Sequence, residues 1–257
     1  MTHDVPALAP WALGLLVLVG FAAGMVDAIG GGGGLLTLPA LLGVGLDPHL
    51  ALGTNKGQAT FGAVSSALAF WRRGGIDRER APLGFVGGLV GAVLGALAQL
   101  AIDPKPLKPI VLGLLIGAAV LLAARPHPSP RPRSPSSPRM VLGSIALAMG
   151  AYDGFFGPGT GTLLILAFVM TFGDSITRAS GNAKVTNLAS NLASFATFAI
   201  GGTIVWKVAL PMAVGNAIGA NVGARLALWR GDRFVRVVVL VVVAGLLAKV
   251  GWDVLRR

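Results

Sequence analysis

Gly30-Gly-Gly-Gly-Gly34, a short apolar run ending at Leu46, then Ala51-Leu-Gly-Thr-Asn-Lys56: the reading of this stretch decides the fold. Five successive glycines cannot continue a stable helix, because each interior glycine costs about 1 kcal/mol relative to alanine. The apolar run before them, from about Ala9 to Ile29, is long enough to cross a bilayer at roughly 1.5 Å per residue. The run after them, Leu35 to Leu46, contains Pro39 and is too short to cross. It reads as the returning arm of a re-entrant hairpin. Asp47-Pro48 begins a turn, and the next span, Ala51–Trp71, carries Lys56 in its interior.

The composition agrees with a membrane chain. The 257 residues are 54% hydrophobic and 12% charged, where a soluble domain carries about 25% charge; the mean hydropathy is +0.77. The apolar runs are helical in length, and the short alternating strands of a barrel are absent from the sequence. The first run lacks a basic n-region and a small-residue cleavage site, so it is expected to stay in the mature membrane domain. There is no cysteine, which excludes disulfides, thiolate metal sites and cysteine nucleophiles. The net charge of +11 is read as topological and not as a nucleic-acid footprint, because the arginines sit in short loops between spans.

The opening pattern returns about 127 residues later. Asp153 precedes Gly157-Pro-Gly-Thr-Gly161; a short run Thr162–Phe172, a turn at Gly173-Asp174 and Ala179-Ser-Gly-Asn-Ala-Lys184 follow. The glycines and Asp47/Asp174 align at an offset of 127, and Ala51, Gly53 and Lys56 align with Ala179, Gly181 and Lys184 at 128. The expected organisation is therefore two repeats, 1–124 and 140–257, joined by a Pro/Ser/Arg linker at 125–139. Each repeat is expected to be a re-entrant hairpin plus about three transmembrane helices. The further spans are Ala81–Ile102 and Leu107–Ala124 in the first repeat, and Ile176–Ile200, Ile204–Leu228 and Phe234–Leu255 in the second. An odd number of crossings per repeat inverts the second. Loops 72–80, 125–139 and 225–236, with four arginines each, then share one side, against five Lys/Arg on the other. The positive-inside rule makes the arginine side cytoplasmic and puts both termini outside. The fold class is an all-α polytopic membrane protein with inverted repeats.

A lysine inside a membrane costs roughly 2.5–3.5 kcal/mol even on the lenient insertion scale, unless it faces a wet cavity or meets an anion. Lys56 and Lys184, related by the repeat, are expected to share a cavity with a small inorganic or organic anion between them. The alternative is that each pairs with Asp27 or Asp153, or snorkels to an interface. Asn55, Asn182 and Asn187 are candidate orienting donors. Gly32, Gly33, Gly159 and Gly161 would bring backbone N–H groups and helix N-termini close to an anion. Asp27 and Asp153 end the first segment of each half and are candidates for binding coupling protons, for counter-charge to the lysines, or for capping the turn that follows. The histidines His3, His49 and His127 are scattered, and no metal site, cofactor or catalytic set is expected.

Gly24-Met-Val-Asp27-Ala-Ile-Gly-Gly-Gly-Gly-Gly-Leu-Leu-Thr-Leu-Pro39, followed by Ala51-Leu-Gly-Thr-Asn55-Lys56, resembles the first motif of the TauE/SafE sulfite exporter family. Gly154-Phe-Phe-Gly-Pro-Gly-Thr-Gly161 and Gly181-Asn-Ala-Lys184-Val-Thr-Asn187 resemble its second. The resemblance extends over about residues 10 to 255. It implies a small transporter of two pseudo-symmetric halves in a bacterial inner membrane, exporting sulfite or a related organosulfur or carboxylate anion. Its partners would be that anion and membrane lipid, not nucleic acid. Two other functions remain open from the residues: a proton-coupled uptake carrier, and an intramembrane enzyme or assembly factor using the same cavity.

Overall fold

The computed structural model describes residues 10–103, 105–107, 109–111, 113–114 and 136–255. Within them the chain is helical, with no strand. The main helices are α1 (Pro10–Gly30), α2 (Gly34–Gly43), α3 (Pro48–Arg72), α4 (Ala81–Leu100), α5 (Pro138–Phe155), α6 (Thr160–Phe172), α7 (Ile176–Ile200) and α8 (Trp206–Leu255). Most of the expected span Leu107–Ala124, and the linker up to residue 135, lie outside the described residues.

Each break is made by glycines in a backbone region closed to other residues. Gly31 and Gly32 have φ of 76° and 101°, and Gly157 and Gly159 have 94° and 86°; a side chain there would be strained. The short helices α2 and α6 follow directly. The turns into the polar helices are also built alike. Asp47 accepts from the Leu50 N–H at 3.1 Å and caps α3, while Ser175 accepts from the Arg178 N–H at 3.3 Å and caps α7. The spans expected at 204–228 and 234–255 form one run, α8, broken at Gly231 with φ 68°.

The long helices are joined by contacts that only glycine permits. A Cβ on Gly219 or Gly223 of α8 would lie 2.0 or 2.3 Å from the carbonyl oxygens of Phe21 and Met25 in α1. On Gly91 or Gly95 of α4 it would lie 2.1 or 2.0 Å from those of Leu147 and Ala151 in α5. Small residues at such seams let backbones approach closely, which is how helices associate where lipid removes the hydrophobic driving force. The two seams are the same contact made twice, since the α4 and α8 glycines are 128 positions apart and their partners 126 apart. The interhelical turns repeat too. The Asp77 N–H donates to Asn182 Oδ1 at 2.8 Å, and the Val205 N–H donates to Thr54 Oγ1 at 3.0 Å; each position is 128 from its counterpart.

These seams place α3 and α7 centrally. Residues 48–58 and 179–187 are buried without a gap, although they include Lys56, Asn55, Gln58, Asn182, Lys184 and Asn187. The outer helices turn apolar side chains outward: Leu18, Val86, Leu94, Val214 and Ile218 are each more than half exposed. Polar inside and apolar outside is the arrangement a bilayer selects. By length and composition, α1 and α4 suffice to cross one.

Candidate functional site at the two helix breaks

The glycine breaks of the two halves meet each other. A Cβ on Gly161 would stand 2.7 Å from Gly31 Cα, and one on Gly34 would stand 3.2 Å from Pro158 Cα. Thr162 Oγ1 ties them together by donating to the Gly30 carbonyl at 2.8 Å. The N-terminal ends of α2 and α6 thus come to one place, where their backbone dipoles favour negative charge. A cavity of about 30 Å³ lies beside them. Gly32, Gly33, Gly34, Gly157, Gly159 and Gly161 line it from the breaks, and Asp27, Asn55, Lys56, Gln58, Asp153, Asn187, Asn191 and Asn216 line it from the long helices. That volume suits about two water molecules.

The four charged groups of the repeat form two crossed ion pairs. Lys56 of the first half holds Asp153 of the second at 2.8 Å. Lys184 of the second holds Asp27 of the first at 3.3 Å and also donates to the Asp27 main-chain carbonyl. Both lysine side chains are nearly fully buried, at 4% and 1% exposure. Asp153 is the better enclosed carboxylate, because its second oxygen also accepts from Ser190 Oγ and from Asn191 Nδ2 at 3.4 Å. Asp27 is 26% exposed, and its other oxygen accepts from the Gly33 N–H at 3.3 Å, bracing the first break. Each carboxylate thus stands opposite a lysine, and Asp27 also accepts from the first break.

Two of the expected site residues stand apart from the cavity. Lys184 is turned onto Asp27 and is not among the lining residues. Asn182 faces the turn between α3 and α4, accepting from the Asp77 N–H and donating to Asp174 at 3.0 Å. It belongs to a latch that joins the halves. Arg80 donates to Asp174 at 3.0 and 3.2 Å and lies over the Phe172 ring at 4.6 Å. Arg178 reaches Asp77 at 3.2 Å. Burial raises the Asp77 carboxyl, but the Arg80 and Glu79 N–H bonds and the two arginines outweigh it and hold it below the ordinary aspartate value.

Asn55, in contrast, is fixed at the cavity wall. Its Oδ1 accepts from Thr37 Oγ1 and from Gln58 Nε2 at 3.2 Å. The latch is absent from the sequence reading, because its arginines look like ordinary topological charges. Also unexpected is the burial of His49, 8% exposed; its Nε2 meets the Ile102 carbonyl at 3.1 Å and its Nδ1 meets Gln99 Nε2 at 2.9 Å.

Comparison with known proteins bears on what such a site serves. The family described as "Sulfite exporter TauE/SafE" matches residues 16–250. A "probable membrane transporter protein" of Haemophilus influenzae is 38% identical over 242 residues, covering 94% of this chain and 95% of its own length. The probable membrane transporter protein YfcA of Escherichia coli K12 is 36% identical over 252 residues, covering 96% and 92%. A more distant relative, the probable membrane transporter protein YunE of Bacillus subtilis, is 24% identical over 238 residues, covering 82% and 87%. No solved structure matches. With that match running through both glycine breaks and all four charges of the crossed pairs, the chain belongs to the TauE/SafE sulfite exporter family of membrane transport proteins.

Proposed function

We propose that this protein exports a small oxyanion, sulfite or a related sulfonate or carboxylate, across the cytoplasmic membrane by alternating access. The observation that carries the reading is the pair of crossed Lys–Asp contacts beside two converging helix N-termini. The halves 1–124 and 140–257 are taken as inverted repeats about a pseudo-twofold axis between the Gly31–Gly161 and Gly34–Pro158 contacts, joined by the cytoplasmic linker 125–139. The matched seams and turns at offsets of 126 and 128 support this, as does the arginine excess in loops 72–80, 125–139 and 225–236. Both termini then lie on the outer side.

Each lysine already has a carboxylate, so a cavity with two spare cations is not what an incoming anion meets. The anion instead competes with Asp153 for Lys56, while Asn55 and Asn187 orient it and the N–H groups of the breaks approach it. Because the cavity has room for about two waters, a four-atom anion fits only when the halves separate and the pair opens. Closing on one side and opening on the other is then one motion, with the Asp77–Arg80–Asp174–Arg178 latch as the lock on the arginine side. Export needs no coupling ion, since each negative charge leaving a cell gains about 2.3 kcal/mol per 100 mV.

A second reading, proton-coupled uptake, is favoured by the same contact, because protonating Asp153 would free Lys56 for the anion. Flux in sealed proteoliposomes separates them. Efflux driven by an inside-negative potential without a pH gradient supports export. Movement only with a pH gradient supports uptake. Consumption of the anion without movement overturns both in favour of an enzyme.

A further inference from the structure

We infer that the species bound is a hydrogen oxyanion, one that carries a single ionisable O–H beside its charged oxygens, and not the fully deprotonated form. The inference rests on the transport reading above and names the chemical state of its substrate. The key residue is Gln58, 1% exposed and lining the cavity. Its Oε1 is buried with no hydrogen-bond partner, and an orphaned buried acceptor is costly, by about 1–3 kcal/mol.

Gln58 and Asn55 are hydrogen-bonded to each other, Nε2 to Oδ1 at 3.2 Å. Two amides joined in this way always leave one amine and one carbonyl unspent at their far ends. As assigned, these are Asn55 Nδ2 and Gln58 Oε1. If both amides are turned over, they become Gln58 Nε2 and Asn55 Oδ1, so the outcome does not depend on which assignment holds. The wall therefore offers the ligand a donor and an acceptor together. A fully deprotonated oxyanion has only acceptors and leaves the carbonyl orphaned, whereas a hydrogen oxyanion fills both.

Charge points the same way. Asp27 and Asp153 are matched one for one by Lys184 and Lys56. A dianion would bring two uncompensated charges into a buried site, and a monoanion one. The singly protonated form is the smaller burden. The consequence for transport is that the proton travels on the substrate, so its movement depends on pH without any carboxylate of the protein having to titrate.

The experiment compares two monoanion-sized probes on purified full-length protein by calorimetry between pH 5.5 and 8.5. Sulfite exchanges an O–H for a second charge in this range. Methanesulfinate has the same pyramidal shape and a constant single charge, with a methyl group where hydrogen sulfite has its hydroxyl. It also reports any titration of Asp27, Lys56, Asp153 and Lys184, the ionisable groups around the cavity. The expected result is that the apparent Kd for total sulfite rises about tenfold per pH unit above its second ionisation, while that for methanesulfinate stays flat. At pH 6 sulfite should bind at least tenfold tighter than methanesulfinate, and Gln58→Met should remove that preference. Sulfite binding that strengthens with pH, or equal affinity for the two probes at pH 6, overturns the inference and leaves the transport reading standing. Absence of both binding and flux for either probe overturns the transport reading and this inference with it.

Discussion

Lys56→Met leaves the Asp153 carboxylate, 2% exposed, without its cation. Ser190 and Asn191 remain as donors, but a buried charge with only neutral partners is unstable. Removing one member of a buried pair costs about 3–5 kcal/mol, much of it the uncompensated charge left behind. For a chain of this size each kcal/mol is about 2–4 °C in Tm, so the variant should melt roughly 6–20 °C below wild type. Asp153→Asn should restore most of that when added to Lys56→Met, because no charge is then left unpaired. The second pair should respond less, since Asp27 is 26% exposed and 3.3 Å from its lysine, so water can answer for the loss. Tryptophan fluorescence melts in detergent measure the series. The decisive comparison is anion binding in the stable double variant. It should fold but not bind. A double variant that melts as low as Lys56→Met, or that binds sulfite normally, refutes respectively the counter-charge account and the assignment of Lys56 to the anion.

Gly157→Ala should cost about 1–3 kcal/mol and most of the flux, because its φ is 94° and the new Cβ would sit 3.1 Å from Lys56 Nζ. Gly14→Ala meets nothing within 4 Å and should gain about 0.5–1 kcal/mol from helix propensity, leaving flux unchanged. Gly95→Val should part α4 from α5 and lower Tm by several degrees, since even a Cβ would fall 2.0 Å from the Ala151 oxygen. Asp77 has a depressed folded pKa, so its contribution to the latch is present above the unfolded value of about 3.8 and is lost only as pH falls through the folded value. Hydrogen exchange in residues 72–80 should therefore not change between pH 5 and 8, after correction for the intrinsic rate, yet rise at any of these pH values in Asp77→Asn.

The breaks could be read from the sequence because five glycines leave a helix no alternative. The repeat could be read because glycines, aspartates and lysines recur at nearly one spacing. Pairing of each lysine with an aspartate is an alternative the sequence offers, but which with which could not be read, because it depends on how the halves interlock: Asp27 and Asp153 are 126 apart, Lys56 and Lys184 are 128 apart, and each pair crosses between halves. Asn182 illustrates the limit of a repeat argument. It lies 127 from Asn55 but aligns at 128 with Thr54. One residue along a helix is a turn of about 100°, enough to take Asn182 from the cavity to the latch. In the sequence Gln58 is one polar residue among several in its span, since an orphaned acceptor exists only once its neighbours are placed.

The glycine seam between α1 and α8 has a consequence for biogenesis. Gly20 touches Met212, on a segment made almost two hundred residues later. At about 5–20 residues per second, the first helix must wait on the order of ten to forty seconds for its mate. Lipid has to shelter it meanwhile, which fits its being more apolar than α4. A ribosome stalled before residue 206 should leave α1 inserted yet unclaimed, and membrane quality-control proteases would meet it in that interval.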